Sequence, residues 1–294
     1  MLEKGMITVF TPTYNRAHTL PRLYHSLCRQ TDKHFQWLVV DDGSTDNTDE
    51  LIKMWEQKSD FMIKYIYQEN SGKQQAHNLG VKYTVTELFV CVDSDDYLID
   101  TAVEIVLECW KKHKEGIGIL CKRGFDCTCP VTTWKGSIEY ATLLEAAHTH
   151  KLHGDTMLVF RTDIIKKFSF PKFENEKFIP ESYLYDLMDQ EGKLFFLPKI
   201  LYLCEYQSDG YTANIRRMNA ENPNGYLAYI RHRLELDTAF FAKIKDTIRY
   251  IAIKCVQKDG GLLKDAINPI LVVFLFVPGW LFYRKVYYRL LRRK

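Results

Sequence analysis

The sequence predicts an α/β protein built on a mainly parallel sheet with helices on both faces. Two observations support this fold class: short apolar runs alternate with amphipathic stretches through the first 112 residues, and polar clusters follow the apolar runs. Such alternation is typical of parallel sheets whose strands are joined by helices. The chain has 294 residues, 46% of them hydrophobic, so it can bury a large core.

The first-half elements follow one another in order. Strands are expected at 6–11, 36–41, 62–67 and 88–92, and helices at 20–29, 47–57, 74–83 and 101–112. In the first of these helices apolar residues recur at the spacing of one helical face: Leu20, Leu23, Tyr24 and Leu27.

Beyond residue 117 the alternation is looser. A strand is predicted at 156–160, a short helix at 163–168, and a helix led by the acidic and aromatic run 173–186. A hairpin is predicted from 194–197 and 200–206, then a polar loop at 207–212 and a helical pattern at 226–255.

Four polar segments follow the four first-half strands: residues 11–16, 41–46, 70–73 and 93–96. Ligands of open α/β sheets bind beyond the carboxyl ends of the strands. The loops lack both the G-x-G-x-x-G and the G-x-x-x-x-G-K-[ST] signatures. This argues against dinucleotide dehydrogenases and P-loop ATPases, and predicts a different site at this edge.

Three aspartates, Asp93, Asp95 and Asp96, fall within four residues after the fourth strand. Two unit charges about 4 Å apart repel by about 4 kcal/mol at an effective dielectric of about 20, so a bound cation is expected. Carboxylates suit Mg²⁺ or Mn²⁺, and Mg²⁺ is commonly shared with substrate phosphates. The expected ligand is a nucleoside diphosphate. The alternative is a solvated loop in which an aspartate caps the next helix.

Three other side chains in these loops also suit a nucleotide. Asp42 is placed to accept from the N3–H of uracil, and Tyr14 offers a ring face. Lys73 is a point charge that can meet a phosphate. The alternative for Lys73 is a solvated lysine in a turn.

Composition argues against several other classes of protein. The formal charge is +3, but the last eleven residues hold six basic residues and no acidic one, so the basicity is confined to the tail. A nucleic-acid binder would spread Lys and Arg over a folded face, and no nucleic-acid partner is expected. The eight scattered cysteines fit reduced thiols. No signal-peptide pattern precedes the first strand, so we expect the chain to start in the cytoplasm.

Three motifs resemble those of family 2 glycosyltransferases with the GT-A fold: Thr-Pro-Thr-Tyr-Asn-Arg at 11–16, Val-Val-Asp-Asp-Gly-Ser-Thr-Asp at 39–46, and Val-Asp-Ser-Asp-Asp at 92–96. The resemblance implies a Rossmann-like sheet and an inverting transferase that uses a nucleotide-sugar, most often a UDP-sugar, with Mn²⁺ or Mg²⁺. By position it implies that Asp42 holds the base, Asp93 the ribose or the metal, and Asp95 the metal and the diphosphate. Asp41 is expected to point into the scaffold. The other donor-binding residues it implies are Thr11, Pro12, Thr13, Tyr14, Lys73 and Ser94.

Inverting transfer needs one general base near the attacking hydroxyl. Members of the family place it in an acidic motif at a helix start, often Glu-Asp, whereas the matching segment here reads Pro-Glu-Ser at 180–182. We predict Glu181 as the base, with Asp186 in reserve. The alternative for Glu181 is a structural role in the first turn of the helix.

Other polar residues of the second half have minor roles in this prediction. Glu174 and Glu176 are expected to be solvated. Arg216 and Arg217 are candidates for a mobile basic loop over the diphosphate, or are surface charges. The Gln-x-x-Arg-Trp motif of processive synthases is absent from this region, which favours transfer of one sugar per encounter.

The C-terminal segment predicts membrane association. Residues 270–283 carry no charge and precede a basic end. This stretch is shorter than the about 20 apolar residues that span a bilayer, so it suits a helix or helical hairpin in the interface. The alternative is a core helix with a solvated basic end.

Together these features predict a GT-A catalytic domain at 1–215, with a nucleotide-binding half at 1–110 and an acceptor half at 111–215. A helical extension at 216–294 follows, and its segment 266–294 is expected to lie on the cytoplasmic side of the cell membrane. The predicted function is metal-dependent transfer of one sugar from a UDP-sugar to a lipid-linked glycan, as in capsule or other surface-polysaccharide synthesis. Two alternatives stay open: a non-catalytic transferase-like scaffold, and a transferase acting on a soluble or polymeric acceptor.

Overall fold

Residues 6–205, 211–236, 239–258 and 260–292 are described by the structure, a computed structural model. The chain forms two units, one of Met1–Ser169 with Leu187–Glu205 and one of Phe170–Asp186 with Tyr206–Lys294. Residues 170–186 thus group with the C-terminal helices, whereas the sequence-based division placed them in the catalytic domain and set its end at residue 215.

The first unit is built on one sheet. Its strands are β1 (Ile7–Thr13), β2 (Phe35–Asp41), β3 (Met62–Tyr67), β4 (Leu88–Cys91), β5 (Tyr97–Leu98), β6 (Gly118–Gly124), β7 (Tyr140–Ala141), β8 (Thr156–Arg161) and β9 (Leu194–Leu203). Within the described residues their order is β3-β2-β1-β4-β8-β6-β9-β5, with β7 paired to β9. Strands β1 to β4 are mutually parallel, and β8 runs antiparallel to β4 and β6. The predicted α/β fold, a sheet flanked by helices, is confirmed. The sheet is mixed, because the pairings of the strands beyond β4 are antiparallel except for β6 with β9.

Register brings the predicted polar loops together at one edge. Thr13 at the end of β1 pairs with Asp41 at the end of β2, and Asp41 pairs with Tyr67 at the end of β3. On the other side of β1, Phe10 pairs with Cys91, the last residue of β4. The segments after these strands therefore leave the same edge of the sheet.

The helices are α1 (Leu20–Cys28), α2 (Thr48–Glu56), α3 (Lys73–Tyr83), α4 (Ala102–Lys112), α5 (Leu143–Thr149), α6 (Thr162–Ile165), α7 (Ser182–Met188), α8 (Tyr211–Glu221), α9 (Pro223–Leu236), α10 (Phe240–Gln257), α11 (Pro269–Val286) and α12 (Tyr288–Leu291). Helices α1, α2 and α4 pack on one face of the sheet, where the Tyr24 and Trp55 rings stack with centroids 4.3 Å apart. Helix α3 covers the other face, where His77 meets the rings of Phe10 and Phe89.

The predicted hairpin at 194–206 is wrong. Within the described residues, β9 is one strand that pairs in parallel with β6 along its length. The register shifts between Leu197 and Ile200, so Pro198 and Lys199 form an irregularity and not a turn. Proline has no N–H to give to a ladder, which explains why the local sequence looked like a strand end. Residue 206 lies outside the described residues.

Hydrogen bonds explain why residues 170–186 belong to the second unit. The Glu176 carboxylate accepts from Asn224 N at 2.9 Å and from Gly225 N at 2.8 Å, at the start of α9. Lys177 N donates to Asn222 Oδ1 at 2.8 Å. Glu176 is therefore a helix-capping residue, and the expectation that it is solvated is wrong. The helical pattern at 226–255 resolves into two helices, α9 and α10.

Helix α11 contains the apolar C-terminal stretch. It continues through Pro278, and Gly279 packs so closely on α10 that a Cβ there would lie 2.6 Å from Ile251. By length and composition alone, Pro269–Leu291 is apolar enough to cross a membrane, with 23 residues and a mean hydropathy of 1.5.

Candidate functional site

Thr13 brings a buried hydroxyl to the polar edge of the sheet. Its carbonyl accepts from Asp42 N at 2.8 Å, which fixes the start of the loop after β2. Its Oγ1 is buried and has no hydrogen-bond partner among the described residues. A buried hydroxyl without a partner is costly, so the arrangement suits a ligand that would satisfy it. Pro12 precedes it within β1, and Tyr14, which follows it, leaves 48% of its surface exposed.

Asp41 is the last residue of β2 and Asp42 follows it, and both carboxylates accept hydrogen bonds from the protein. Asp41 points into the scaffold as expected, accepting from Ser44 N at 2.8 Å and from the Tyr65 hydroxyl at 2.7 Å. Thr11 is also part of the scaffold, because its hydroxyl accepts from Trp37 Nε1 at 2.9 Å.

Asp42 organises the loop that precedes α3. Its carboxylate accepts from Gln68 Nε2 at 2.6 Å, from Ser71 N at 2.7 Å and from Gly72 N at 2.8 Å. An ionised carboxylate offers about four acceptor positions, so about one is left for a ligand. Gly72 has φ of 94°, a conformation that favours glycine, and it leads directly into Lys73.

The centre of the site is an ion pair between Lys73 and Asp93. Lys73 Nζ lies 2.6 Å from Asp93 Oδ1, and about four-fifths of each side chain is buried, with 20% and 23% exposed. Arg123, at the end of β6, adds a second cation 3.9 Å from Asp93 Oδ2. Burial raises the pKa of Asp93, but Lys73 and Arg123 outweigh it and hold that pKa below its ordinary value.

Asp96 lies near the same nitrogen of Arg123 as Asp93 does. Its carboxylate accepts from the Tyr202 hydroxyl at 2.8 Å and from Glu205 N at 3.3 Å, and lies 3.8 Å from Arg123 Nη1. The Arg123 guanidinium stacks over the Tyr202 ring at 3.9 Å. Burial, and then the charge of Asp93, raise the pKa of Asp96 to about 7.

Asp95 is the member of the cluster whose carboxylate pairs with no cation in the described part of the chain. Its backbone carbonyl accepts from Arg22, which also forms an ion pair with Glu205 at 2.7 Å. Burial, and then Asp93, raise the pKa of Asp95. Ser94, between the two aspartates, is buried.

A divalent cation fits Asp95 better than it fits Asp93. Asp93 is already neutralised by Lys73, whereas Asp95 forms no ion pair within 4 Å among the described residues, and burial followed by the charge of Asp93 raises its pKa. Among the described residues, no group of three or more His, Cys, Asp or Glu side chains could hold a metal. Mg²⁺ is commonly held by one or two carboxylates together with substrate phosphates, so the donor set fits a metal site that the ligand completes.

Part of the positive charge that was predicted beside the acidic cluster is therefore supplied by side chains of the protein, Lys73 and Arg123. Lys73 was identified as a candidate, but Arg123 and Tyr202 were missed because they come from β6 and β9, far away in sequence. The only available signal was the pair of basic residues Lys122 and Arg123 at a strand end.

The predicted base and its reserve both lie in the second unit. Glu181 precedes α7, and its carbonyl accepts from Leu184 N at 3.0 Å in the first turn. Asp186 is buried and lies 3.4 Å from Arg233, which in turn is 3.5 Å from Asp246. Asp186 is thus held in an ionic network of the second unit.

Arg216 and Arg217 do not lie in a loop. Both are exposed residues of α8, and Arg217 pairs with Glu221 one turn later at 3.0 Å. Residues 207–210 of the predicted polar loop lie outside the described residues, and residues 211 and 212 belong to α8.

A sheet with parallel strands β1 to β4, whose strand-end loops gather an Asp-x-Asp cluster and two cations, has the architecture of a GT-A domain. Comparison with known proteins agrees with this class. The chain belongs to glycosyl transferase family 2, whose domain matches residues 8–168.

Relatives in sequence match different shares of this chain. An uncharacterized glycosyltransferase of Rickettsia conorii is 37% identical over 108 residues, which is 37% of this chain and 18% of that protein. Poly(ribitol-phosphate) beta-N-acetylglucosaminyltransferase TarS of Staphylococcus aureus is 24% identical over 258 residues, 86% of this chain and 41% of that protein. This chain spans 15 to 41% of the length of the curated relatives it matches.

Solved structures show the same fold. The structure of TarS residues 1–349 in complex with UDP-GlcNAc superimposes with a TM-score of 0.61 and 19% identity, over 94% of this chain and 81% of that one. A mannosyltransferase of Pyrobaculum calidifontis, in complex with GDP-Man and Mn²⁺, gives a TM-score of 0.59 at 16% identity, over 96% of this chain and 83% of that one.

Proposed function

We propose that this protein transfers one sugar from a UDP-sugar to a glycan acceptor with inversion at the anomeric carbon. The observation that carries the proposal is the cluster of Lys73, Arg123, Asp93 and Asp95 at the edge where the family motifs meet. Two cations beside a half-buried carboxylate that forms no ion pair among the described residues suit a ligand that carries both a diphosphate and a metal ion.

In such a transfer the acceptor hydroxyl attacks the anomeric carbon as the diphosphate leaves. Negative charge develops on the leaving group, and cations placed beside it lower the barrier. Lys73 and Arg123 are the cations for this role, and each would exchange part of its interaction with Asp93 for the phosphates. Mn²⁺ or Mg²⁺, held by Asp95 with Asp93 beside it, would supply further neutralisation of the leaving diphosphate.

Thr13 and Asp42 suit the nucleoside end of the donor. The buried Thr13 hydroxyl has no partner among the described residues, and Asp42 retains about one acceptor position. That position would take the N3–H of uracil, and the exposed ring of Tyr14 would stack on the base. This is the basis for preferring a uridine nucleotide.

Glu181 remains the residue we assign as general base. Asp186, its reserve, is less suited because its carboxylate is buried and engaged in an ion pair with Arg233. Glu181 has the single carboxylate of the altered acidic motif at the start of α7.

The first experiment is a screen of common UDP-sugars for released UDP, with Mn²⁺ or Mg²⁺ present. We expect turnover with at least one donor, and loss of about 100-fold or more in Asp95→Ala, as for removal of a group that stabilises developing charge. Asp60→Ala is the matched control, because Asp60 is exposed and pairs only at the surface with Lys33. Calorimetric binding of UDP without turnover of any donor would support the scaffold alternative and overturn the transferase.

The acceptor we propose is a lipid-linked glycan in surface-polysaccharide synthesis, as in capsule assembly. The apolar helix α11 supports an acceptor at a membrane, while the name of the TarS relative favours a polymeric acceptor. Transfer of labelled sugar to lipid-linked and to water-soluble glycans, measured in parallel on the full chain, separates the two. Equal rates on both would remove the argument for lipid linkage.

A further inference from the structure

One face of α11 is apolar and open to solvent. The exposed apolar side chains, each with 42 to 78% of its surface accessible, are Ile270, Val273, Phe274, Phe276, Val277, Trp280 and Leu281. Residues 270, 273, 274, 277 and 281 recur at the spacing of one helical face and extend over about 17 Å. Isolated exposed apolar residues are ordinary, but a continuous stripe marks an interaction surface.

The opposite face of α11 is committed to α10. Val272 and Tyr287 are buried in the same core cluster as Ile251, and Gly279 lets the two helices approach closely. Within α10, Asp246 forms an ion pair with Arg249 at 2.9 Å, and Lys254 is buried beside Asp265 at 2.8 Å. Charged groups of this kind do not enter a bilayer core without a large cost. Crossing would therefore require α11 to leave α10, whereas lying in the interface would not.

The charge around this face is of one sign. Residues 266–294 contain no Asp or Glu, and Arg284 and Lys285 follow Leu281 on the same side of α11. Arg284 lies over the rings of Trp280 and Tyr288, at 5.6 and 4.1 Å. An apolar stripe that ends in aromatic rings and cations is complementary to a surface with acyl chains below and anionic headgroups above.

We propose that the outward face of α11 docks on an anionic lipid bilayer, with the helix lying in the plane of the interface. The apolar stripe enters the boundary between headgroups and acyl chains, Arg284 and Lys285 meet anionic headgroups, and α10 stays on the aqueous side. A second copy of the chain is the less favourable occupant, because Arg284 and Lys285 of one copy would lie close to the same cations of the other and repel them. The proposal does not depend on the sugar-transfer chemistry.

Sedimentation of the full chain with vesicles tests this docking. We expect binding to vesicles of phosphatidylglycerol and phosphatidylcholine, and weaker binding to pure phosphatidylcholine. Phe274→Glu should weaken binding by about tenfold or more, because it places a charge at the acyl boundary. Val85→Glu is the matched control, since Val85 is an apolar residue of the first unit with 57% of its surface exposed. Circular dichroism checks that both variants fold.

Charge reversal tests the headgroup contacts. Lys285→Glu should weaken binding to the anionic vesicles by about fivefold or more. Lys111→Glu, at an exposed position of the first unit, should leave it unchanged. Equal loss in the control and the test variant would overturn the proposed face, and so would failure of the unmodified chain to bind either vesicle.

Depth and self-association distinguish the remaining outcomes. The fluorescence of Trp280 is the part of the signal that Trp280→Phe removes. Lipids brominated near the headgroup should quench this fluorescence more strongly than lipids brominated at the chain end. Stronger quenching by the chain-end bromines would indicate a helix that crosses the bilayer and would overturn the in-plane arrangement. Sedimentation equilibrium of the chain without lipid should give a monomer. A dimer abolished by Phe274→Glu would identify a second copy as the occupant and overturn the proposal. Released UDP, measured in solution, reports separately on the proposed transferase.

Discussion

Lys73, the first residue of α3, places its Nζ 2.6 Å from Oδ1 of Asp93, just beyond the end of β4. The loops after β3 and β4 are therefore joined by an ion pair at the polar edge. Sequence electrostatics required a cation beside the aspartates, and the fold supplies two of its own, Lys73 and Arg123. The negative charge that these two cations leave is centred on Asp95. A metal ion would therefore have to neutralise one carboxylate and not the whole cluster.

Removal of the lysine charge should affect stability as well as binding. In Lys73→Met, Asp93 keeps only Arg123 as a nearby cation, and we expect a loss of about 1 to 3 kcal/mol in the free energy of unfolding, measured with urea. UDP should also bind more weakly. Lys53→Met is the control, because Lys53 forms an exposed pair with Asp49 and should cost about 0.5 kcal/mol or less. Equal losses of unfolding free energy in the two variants would show that the Lys73–Asp93 pair stabilises the protein no more than the exposed pair does.

The position of Lys73 depends on close packing of α3 against β1. A Cβ at Gly80 would overlap the ring of Phe10, which is fully buried. Gly80→Ala should therefore destabilise the protein by about 1 to 3 kcal/mol, although alanine favours a helix over glycine by about 1 kcal/mol. Gly260→Ala is the control, because a Cβ there meets nothing within 4 Å. Thermal unfolding of the two variants is the measurement, and a stabilised Gly80→Ala variant would contradict this account of the packing.

Much of the first half of the fold was predictable because its strands are short, apolar and parallel. Strand β3 falls at the predicted residues, and β1, β2 and β4 start or end within two residues of them. The apolar runs of β1, β2 and β4 are unambiguous because almost every residue of these strands is buried, whereas β3 is partly exposed. The same logic failed at β9, where Pro198 mimics a turn and the parallel pairing with β6 is not visible locally.

The candidate site was predictable only where it is local in sequence. Asp42 and Asp93 follow strands and lie in recognisable motifs, whereas Arg123 and Tyr202 reach the cluster only because β6 and β9 pair. Glu176 was misjudged for the same reason, since its partners at 224 and 225 are distant in sequence.

Acid should destabilise the protein through His77. This ring is fully buried between Phe10 and Phe89, and burial, then the charge of Lys73, lower its pKa to about 3. The unfolded chain binds the proton near pH 6.5 while the folded protein does not, so stability is full above that pH and falls as the pH drops toward 3. Between pH 7.5 and 4.5 the loss from this group should be about 2 to 3 kcal/mol.

His77→Phe isolates this contribution. Urea unfolding at pH 7.5 and 4.5 should show a smaller acid-induced loss in the variant than in the unmodified protein. His18 is exposed, and the control variant His18→Phe should show the same acid-induced loss of stability as the unmodified protein. If the free energy of unfolding had the same pH dependence in all three proteins, the pKa of His77 would not be lowered in the folded protein.

The last prediction concerns the general base. In Glu181→Gln, the side chain keeps its size but can no longer take a proton from the acceptor hydroxyl, so transfer should fall by about 100- to 10,000-fold. Binding of UDP, measured by calorimetry, should be unchanged, because the cations and carboxylates of the donor site belong to the first unit. Glu174→Gln, an exposed neighbour in the same acidic run, should retain full transfer. If Glu181→Gln turned over normally while Asp186→Asn lost activity and kept its fold, the base would be Asp186, and its ion pair with Arg233 would have to open during catalysis.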